Sequence, residues 1–124
     1  MNIAEVLHRS AGAYAREPAI VINNRTHLSY GQLLRRVCRL AFHLRRQLGL
    51  NPGDRVALVM ENRPEYVEIM FAAWHAGLVV VPVNAKLHVT EIQYILKDSG
   101  ASVCFTSNKL YQQLAALAQL PTAL

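Results

Sequence analysis

Residues 53–84 read GDRVALVMENRPEYVEIMFAAWHAGLVVVPVN, and this stretch decides the fold. It contains two almost wholly apolar runs, Val56–Met60 and Leu78–Val81, which are separated by a segment with helical features. Pro64 suits the first turn of that helix, and Gly77 lies where a C-cap would end it. Strands that are apolar at successive positions are typical of a sheet covered on both faces. The stretch therefore predicts two buried parallel strands joined by a helix.

The same pattern continues toward the C-terminus. Thr90 with Gln93 predicts the N-cap of a further helix, which Gly100 is expected to end, and Val103–Thr106 is a third apolar run. The connections between the three runs are longer than a hairpin allows, so the strands are expected to be parallel. The predicted fold class is α/β, a parallel βαβαβ sheet with helices on both faces.

A helix and a β-hairpin are predicted before this sheet. The helix covers about Ile3–Tyr14, and the hairpin strands cover Ala19–Ile22 and Thr26–Leu28. Asn23 and Asn24 suit the tight turn between the strands because asparagine accepts a positive φ. No linker, repeat or low-complexity segment divides the chain, so residues 1–124 are expected to form one domain.

The helix after the hairpin carries much of the net charge of +5. Ser29 and Gln32 predict a capping box at its start, and Gly49 is expected to end it. Its apolar side is predicted to contain Leu33, Val37, Leu40, Ala41, Leu44 and Leu48. The opposite side holds Arg35, Arg36, Arg39, His43 and Arg46. We interpret it as a solvent-exposed face, not a nucleic-acid or membrane site, because no aromatic residue interleaves with the arginines.

Composition limits the class of protein and its compartment. A hydrophobic share of 52% with 17% charged residues excludes a disordered chain. Cys38 and Cys104 form neither a CxxC pair nor a secreted-type framework, so we expect reduced thiols in a cytoplasmic protein. The N-terminus lacks the features of a signal peptide. The longest apolar run, Ile69–Val83, is interrupted and shorter than the roughly 20 residues of a transmembrane helix.

Ligands of open parallel sheets bind beyond the carboxyl ends of the strands, which directs attention to the loops after each apolar run. These loops are Glu61-Asn62-Arg63, Asn84-Ala85-Lys86 and Ser107-Asn108-Lys109. Asn62 and Asn108 are expected to cap helices, and most polar residues in such loops do no more. Asn84 and Lys86 have no evident capping role, so they are the candidate ligand-facing residues.

No residue is assigned to catalysis, cofactor binding or metal binding from the sequence. The glycines do not form GxGxxG or GxxxxGK[ST], the patterns that cradle phosphate groups. The histidines lack the spacing of metal ligands, and no cysteine lies near them in a ligand pattern. No serine lies in a nucleophile elbow.

The order of short motifs resembles the N-terminal end of the AMP-forming acyl-CoA synthetase and ligase family, which is also called the adenylate-forming superfamily. The matching motifs are HLSY at 27–30, GDRVA at 53–57, NRPE at 62–65, AGLVVVPVN at 76–84 and EIQYILKDSGA at 91–101. Each motif alone is weak, whereas the set with its spacing covers nearly the whole chain. Asn23 and Asn24 replace glycines that are common at the hairpin of this family.

The resemblance implies a partial N-terminal AMP-binding domain over residues 1–124, which ends before the phosphate-binding loop of the family. It implies a reaction in which a carboxylic acid and ATP give an acyl-adenylate, from which coenzyme A then displaces AMP, with Mg²⁺ on the phosphates. The family's catalytic residues lie beyond the matched stretch, so the isolated chain is expected to be inactive. Its unpaired sheet edges predict self-association.

Three hypotheses follow. The first is the N-terminal part of an acyl-CoA ligase, for which the sequence selects neither the carboxylic acid nor coenzyme A over a carrier-protein thiol. The second is a small non-catalytic α/β module that binds an acidic partner through the arginine-rich helix. The third is a gene remnant without a function of its own.

Overall fold

The computed structural model describes residues 2–117, with side chains up to residue 115. An N-terminal helix and a hairpin precede alternating strands and helices, in the predicted order. The elements are α1 (Glu5–Ala13), β1 (Pro18–Ile22), β2 (Arg25–Ser29), α2 (Tyr30–Phe42), a π-helical segment (His43–Gln47), β3 (Arg55–Val59), α3 (Pro64–His75), β4 (Val79–Val83), α4 (Val89–Ser99), β5 (Val103–Thr106) and α5 (Asn108–Leu117).

The central sheet has three strands in the order β4-β3-β5, and both pairings are parallel. Ala57 in β3 lies beside Val81 of β4 and beside Cys104 of β5. The connections contain α3 and α4, as parallel pairing requires. This arrangement confirms the α/β class and the parallel βαβαβ sheet predicted from the apolar runs.

Helices cover the two faces of this sheet. Strand β3 contributes to both faces, because its successive side chains point in opposite directions. Val56 and Leu58 belong to a core cluster with residues of α2 and α3, which we call the α2/α3 face. Ala57 and Val59 belong to a second cluster with residues of α4 and α5, the α4/α5 face. All four side chains are fully buried, which explains why this strand is apolar throughout.

Strand β4 extends further than its sequence predicts. The predicted run ends at Val81, yet β4 continues to Val83, and Pro82 lies beside Leu58 in the register. The prediction that this strand is buried was also wrong, because Val79 is exposed. Among the described strands β4 lies at an edge and has β3 on one side only. A residue without a backbone N–H is tolerated at such an edge.

The helix caps confirm two predictions and correct a third. The capping box of α2 is present: the backbone N–H of Gln32 donates to Ser29 Oγ, and that of Ser29 donates to Gln32 Oε1. Gly100 ends α4 with a left-handed φ of 67°. The predicted cap at Thr90 is wrong, because His88 is the N-cap and its Nδ1 accepts from the backbone N–H of Thr90 at 3.2 Å.

The end of the arginine-rich helix widens into the π-helical segment. The backbone N–H of Leu48 donates to the carbonyl of His43, five residues earlier, at 3.0 Å. A wider turn rotates each residue by less than the 100° assumed for an α-helix. Leu44 stays buried, whereas Leu48 is exposed, so its predicted place on the apolar side was wrong. Gly49 follows with a φ of 68°, which agrees with its predicted role at the helix end.

Candidate functional site

The carboxyl ends of the three parallel strands lie at one edge of the sheet. Val59, the last residue of β3, lies beside Val83 of β4 and Thr106 of β5. The buried Thr106 hydroxyl donates to the carbonyl of Val59 at 2.8 Å, which ties β5 to β3 at this edge. The loops that follow the three strands therefore begin at one edge of the sheet, as the sequence predicts.

These loops surround two adjoining cavities, which together we call the carboxyl-edge cleft. The first, of about 690 Å³, is lined by Met60, Glu61, Asn62, Tyr66, Pro82, Val83, Asn84, Ala85 and Lys86. The second, of about 440 Å³, is lined by Glu61, Asn62, Arg63, Ala85, Ser107, Lys109 and Leu110. The two cavities share three lining residues, so the structure brings all three predicted loops together.

Asn84 shapes the loop after β4. Its Oδ1 accepts from the backbone N–H of Lys86 at 2.9 Å, and its carbonyl accepts from the N–H of Leu87 at 3.2 Å. This is an Asx turn, so Asn84 has a local structural role, although it caps no helix, since the N-cap of α4 is His88. The turn uses the Oδ1 atom, and the exposed amide nitrogen still has two donors for a ligand.

Positive charge predominates around the carboxyl-edge cleft. Lys86 lines the first cavity, and Arg63 and Lys109 line the second. Glu61 is the acidic residue of both linings, and the Nε of Arg63 lies 3.4 Å from Glu65 Oε2. Three basic side chains against one lining carboxylate favour an anionic ligand over a cationic one.

The asparagines expected to cap helices do not do so. Arg63 is the N-cap residue of α3 and makes no side-chain capping bond, which leaves Asn62 outside the helix as a lining residue of both cavities. At α5, Asn108 is the first helical residue, and the Ser107 hydroxyl accepts from the backbone N–H of Leu110 at 3.4 Å. The sequence could have indicated Ser107, since serine is a preferred N-cap.

Part of the arginine-rich helix serves the fold. Arg36 Nε donates to Oε1 of the buried Glu68 at 2.7 Å, and this hydrogen bond and then the carboxylate charge raise the pKa of Arg36. Arg45 donates to the carbonyl of Ala76 at 3.3 Å, just after α3. Binding of an acidic partner by the other arginines of this helix stays a prediction.

Within the part of the chain whose side chains are described, the structure holds no cluster of three or more carboxylates that could bind Mg²⁺. Between residues 2 and 115, the His, Cys, Asp and Glu ligand atoms converge in one group, His8, Cys38 and His75. That group offers nitrogen and sulfur, whereas Mg²⁺ prefers oxygen ligands. Partial burial of the exposed His75 ring, and then the nearby His8, lower the pKa of His75. No chemical step is assigned to Mg²⁺ on these residues.

A parallel sheet with a cleft at the carboxyl ends of its strands places the chain in the class of open α/β proteins, in which ligands bind at that edge. The family model for AMP-binding enzymes matches residues 7–123 of the chain. The chain therefore belongs to the AMP-binding enzyme family, as its motifs predict.

Individual proteins of known name agree with this assignment. The chain is 48% identical over 93 residues to a feruloyl-CoA synthase of Amycolatopsis sp., a match to 75% of this chain and 19% of that protein. It is 37% identical over 101 residues to a long-chain-fatty-acid–CoA ligase of Escherichia coli O6:H1, covering 82% and 18%. The chain thus spans about a fifth of the length of these curated relatives.

A solved structure extends the likeness to the fold. The benzoate CoA ligase of Burkholderia xenovorans LB400 superposes with a TM-score of 0.87 at 30% identity, over 100% of this chain and 26% of that one. The described residues therefore have the fold of one part of an adenylate-forming enzyme. Within residues 2–117, no helix combines the length and apolar character needed to cross a bilayer.

Proposed function

We propose that this chain supplies the N-terminal parallel sheet of an AMP-forming acyl-CoA ligase. In the complete reaction a carboxylate attacks the α-phosphate of ATP, which gives an acyl-adenylate and pyrophosphate. The thiol of coenzyme A then attacks the acyl carbon and releases AMP. The main support is the similarity to CoA ligases over three quarters or more of the chain. ATP, Mg²⁺ and coenzyme A are the cofactors and substrates of the whole reaction in this proposal.

The contribution of the described residues is a scaffold with a basic edge. The sheet holds three loops around the carboxyl-edge cleft, and the ligand of this cleft is proposed to be a carboxylate or phosphate group. Lys86 supplies a mobile positive charge, and the Asn84 amide supplies hydrogen-bond donors beside it. These two exposed residues are the proposed ligand-facing side chains, because both line the larger cavity.

The substrate is proposed to be a fatty or aryl carboxylic acid. Feruloyl-CoA synthase and benzoate CoA ligase are named for aromatic acids, and the Escherichia coli relative is named for long-chain fatty acids. Both classes consist of an apolar body and one carboxylate. The carboxylate is the part that a basic cleft can recognise.

A chimera tests the proposal most sharply. The 93-residue matched segment of the Amycolatopsis feruloyl-CoA synthase would be replaced by the corresponding segment of this chain, and pyrophosphate release with ATP and ferulate would be measured. We expect the chimera to retain activity within about tenfold of the parent enzyme, a change of about 1.4 kcal/mol in the activation barrier. The isolated 124-residue chain, measured alongside, is expected to release no pyrophosphate.

Two outcomes would contradict the proposal. A chimera with the circular dichroism and melting curve of the parent enzyme, yet without pyrophosphate release, would show that this sheet cannot serve a ligase. Pyrophosphate release by the isolated chain at the rate of the parent enzyme would show that it is a complete catalyst and not a scaffold.

The location and association of the chain are proposed from its thiols and its sheet edges. Cys38 and Cys104 are both free, and burial raises the pKa of Cys104 to about 11. Free thiols suit the reducing cytoplasm, which is the proposed compartment. The exposed Val79 lies on the β4 edge, where self-association of the isolated chain is proposed. Nucleic acid is not a proposed partner.

A further inference from the structure

Three metal-ligating side chains from three helices meet on the layer formed by α1, α2 and α3. His8, Cys38 and His75 place one ligand atom each within 4.8 Å of the other two, and we call them the His–Cys–His cluster. His8 Nε2 lies 3.3 Å from His75 Nδ1, and the two rings stack with centroids 5.1 Å apart. Because these three residues are far apart in the sequence, a search for short metal-ligand motifs does not find them.

We propose that the His–Cys–His cluster binds a Zn²⁺ ion through two imidazole nitrogens and one thiolate, with water at the fourth position. These are preferred ligands of zinc, and sites with three protein ligands and one water are common. Two ligands at Zn–N distances of about 2.0–2.1 Å lie about 3.3 Å apart when the coordination is tetrahedral. The two histidine nitrogens are already 3.3 Å apart and are joined by a hydrogen bond, so one ring must move its proton to its other nitrogen before both atoms can bind zinc.

The sulfur needs only a small adjustment to complete the site. Zn–S and Zn–N distances of about 2.3 and 2.1 Å require about 3.6 Å between sulfur and nitrogen in a tetrahedral site. The observed limit of 4.8 Å for the cluster leaves a shift of at most about 1.2 Å. A side-chain rotation of that size does not require the helices to move.

The helices that carry the ligands are held by the core. Each ligand has a buried sequence neighbour, namely Leu7, Val37 and Ala76. The Asn2 amide nitrogen donates to the carbonyl of Trp74 at 2.6 Å, which fastens the start of the chain to the end of α3. Both histidines are exposed and Cys38 is half-buried, so an ion can reach the cluster from solvent.

The cluster is separate from the carboxyl-edge cleft. It lies at the C-terminal end of α3, and the chain continues from there through Gly77, whose carbonyl accepts from the backbone N–H of Gly53 just before β3. This is the amino edge of the sheet, opposite the loops of the cleft. A bound ion would therefore join the three helices and leave the proposed ligase site untouched, so this inference does not depend on the proposed function.

Metal titration of the reduced 124-residue chain, freed of metal with EDTA and dialysed, tests the inference. We expect one Zn²⁺ to bind per chain and to displace Co²⁺, whose bound form shows a thiolate-to-metal absorption in the near ultraviolet. Cys38→Ala should abolish that absorption, and His8→Gln or His75→Gln should weaken Zn²⁺ binding at least tenfold. His27→Gln is the matched control, since His27 is an exposed hairpin residue outside the cluster. It should bind Zn²⁺ as the unaltered chain does.

The coordination of the unaltered chain provides a readout that needs no variant. X-ray absorption of the zinc-loaded chain should show one sulfur and two imidazole ligands. A zinc shell without sulfur, no binding at stoichiometric Zn²⁺, or equal Zn²⁺ affinity in Cys38→Ala and the unaltered chain would overturn the proposal.

Discussion

The α2/α3 face of the central sheet contains sixteen buried core residues in the described part of the chain, whereas the α4/α5 face contains eight. Both faces share strand β3, whose residues 56–59 are fully buried on alternate sides of the sheet. The α2/α3 face also receives Leu7 from α1 and partly buried residues of the hairpin, such as Ile20 and Leu28. Within residues 2–115, the α2/α3 face is therefore a thick core, and the α4/α5 face is a single thin layer.

Polar contacts follow the same division. On the α2/α3 face the Arg36–Glu68 pair joins α2 to α3, and Arg45 reaches the carbonyl of Ala76. On the other side, Arg55 at the start of β3 donates to the carbonyl of Ser99 at the end of α4. The thick face thus has both apolar and ionic ties between its helices. We therefore expect most of the stability to come from packing of α2 and α3, whereas the carboxyl-edge cleft lies at the carboxyl ends of the strands.

The largest expected difference between the two faces is the loss of stability when a buried leucine is replaced by alanine. Leu33 in α2 and Leu114 in α5 are both helical and almost fully buried, at 3% and 2% exposure. Leu33→Ala should lower the free energy of unfolding by about 3–4 kcal/mol, and Leu114→Ala by about 2 kcal/mol, because a thin layer collapses more readily into the cavity. Urea denaturation measures both values. Equal losses of unfolding free energy, or a larger loss for Leu114→Ala, would contradict the inference that the two faces differ in stability.

A smaller loss of stability is expected when the ion pair between Arg36 and Glu68 on the α2/α3 face is removed. Arg36→Ala leaves the buried Glu68 carboxylate without its partner and should cost about 1–2 kcal/mol of unfolding free energy, since Arg36 is itself half-exposed. Arg35→Ala, on the exposed side of the same helix, is the control and should change stability by less than about 0.5 kcal/mol. Indistinguishable melting curves for the two variants would mean that the ion pair adds nothing.

The smallest expected effect is local opening of the α4/α5 face, which exposes Cys104 to alkylation while the rest of the chain stays folded. Burial raises the pKa of Cys104 to about 11, so about one thiol in a thousand is ionised at pH 8. In EDTA, the half-buried Cys38 should be alkylated first, and Cys104 should react later but before global unfolding. Mass spectrometry of digested samples gives both rates. Cys104 labelling as fast as that of Cys38, or strictly coincident with unfolding, would contradict a thin face that opens locally.

The sheet could be predicted from sequence because its signals are local and strong. Val103–Thr106 has the predicted bounds, and Pro64 begins α3 as expected. The hairpin turn at Asn23 and Asn24 is also confirmed, since both residues have a positive φ. Unbroken apolar runs, a proline at the first helical turn and asparagines at a tight turn each describe the backbone around them. Such features need no knowledge of distant residues.

The errors arose where several neighbouring residues can take the same local role, or where strand pairing decides. Thr90 and Asn62 satisfy cap statistics, but His88 and Arg63 occupy the N-cap positions. Strand pairing carries Pro82 into β4, and this depends on which side of the strand lacks a neighbour. The loops of the cleft could be predicted because the carboxyl ends of parallel strands meet at one edge. The His–Cys–His cluster could not, because its members come from three separate helices.

The contribution of the carboxyl-edge cleft to ligase activity can be measured directly. In the feruloyl-CoA synthase chimera, Lys86→Gln should lower kcat/KM for pyrophosphate release about tenfold, or about 1.4 kcal/mol, by removing a positive charge beside an anionic ligand. Lys97→Gln removes the same charge from exposed α4, outside the residues that line the cleft, and should leave kcat/KM unchanged. Equal kcat/KM values for the two variants would contradict the assignment of this edge as the functional part of the chain.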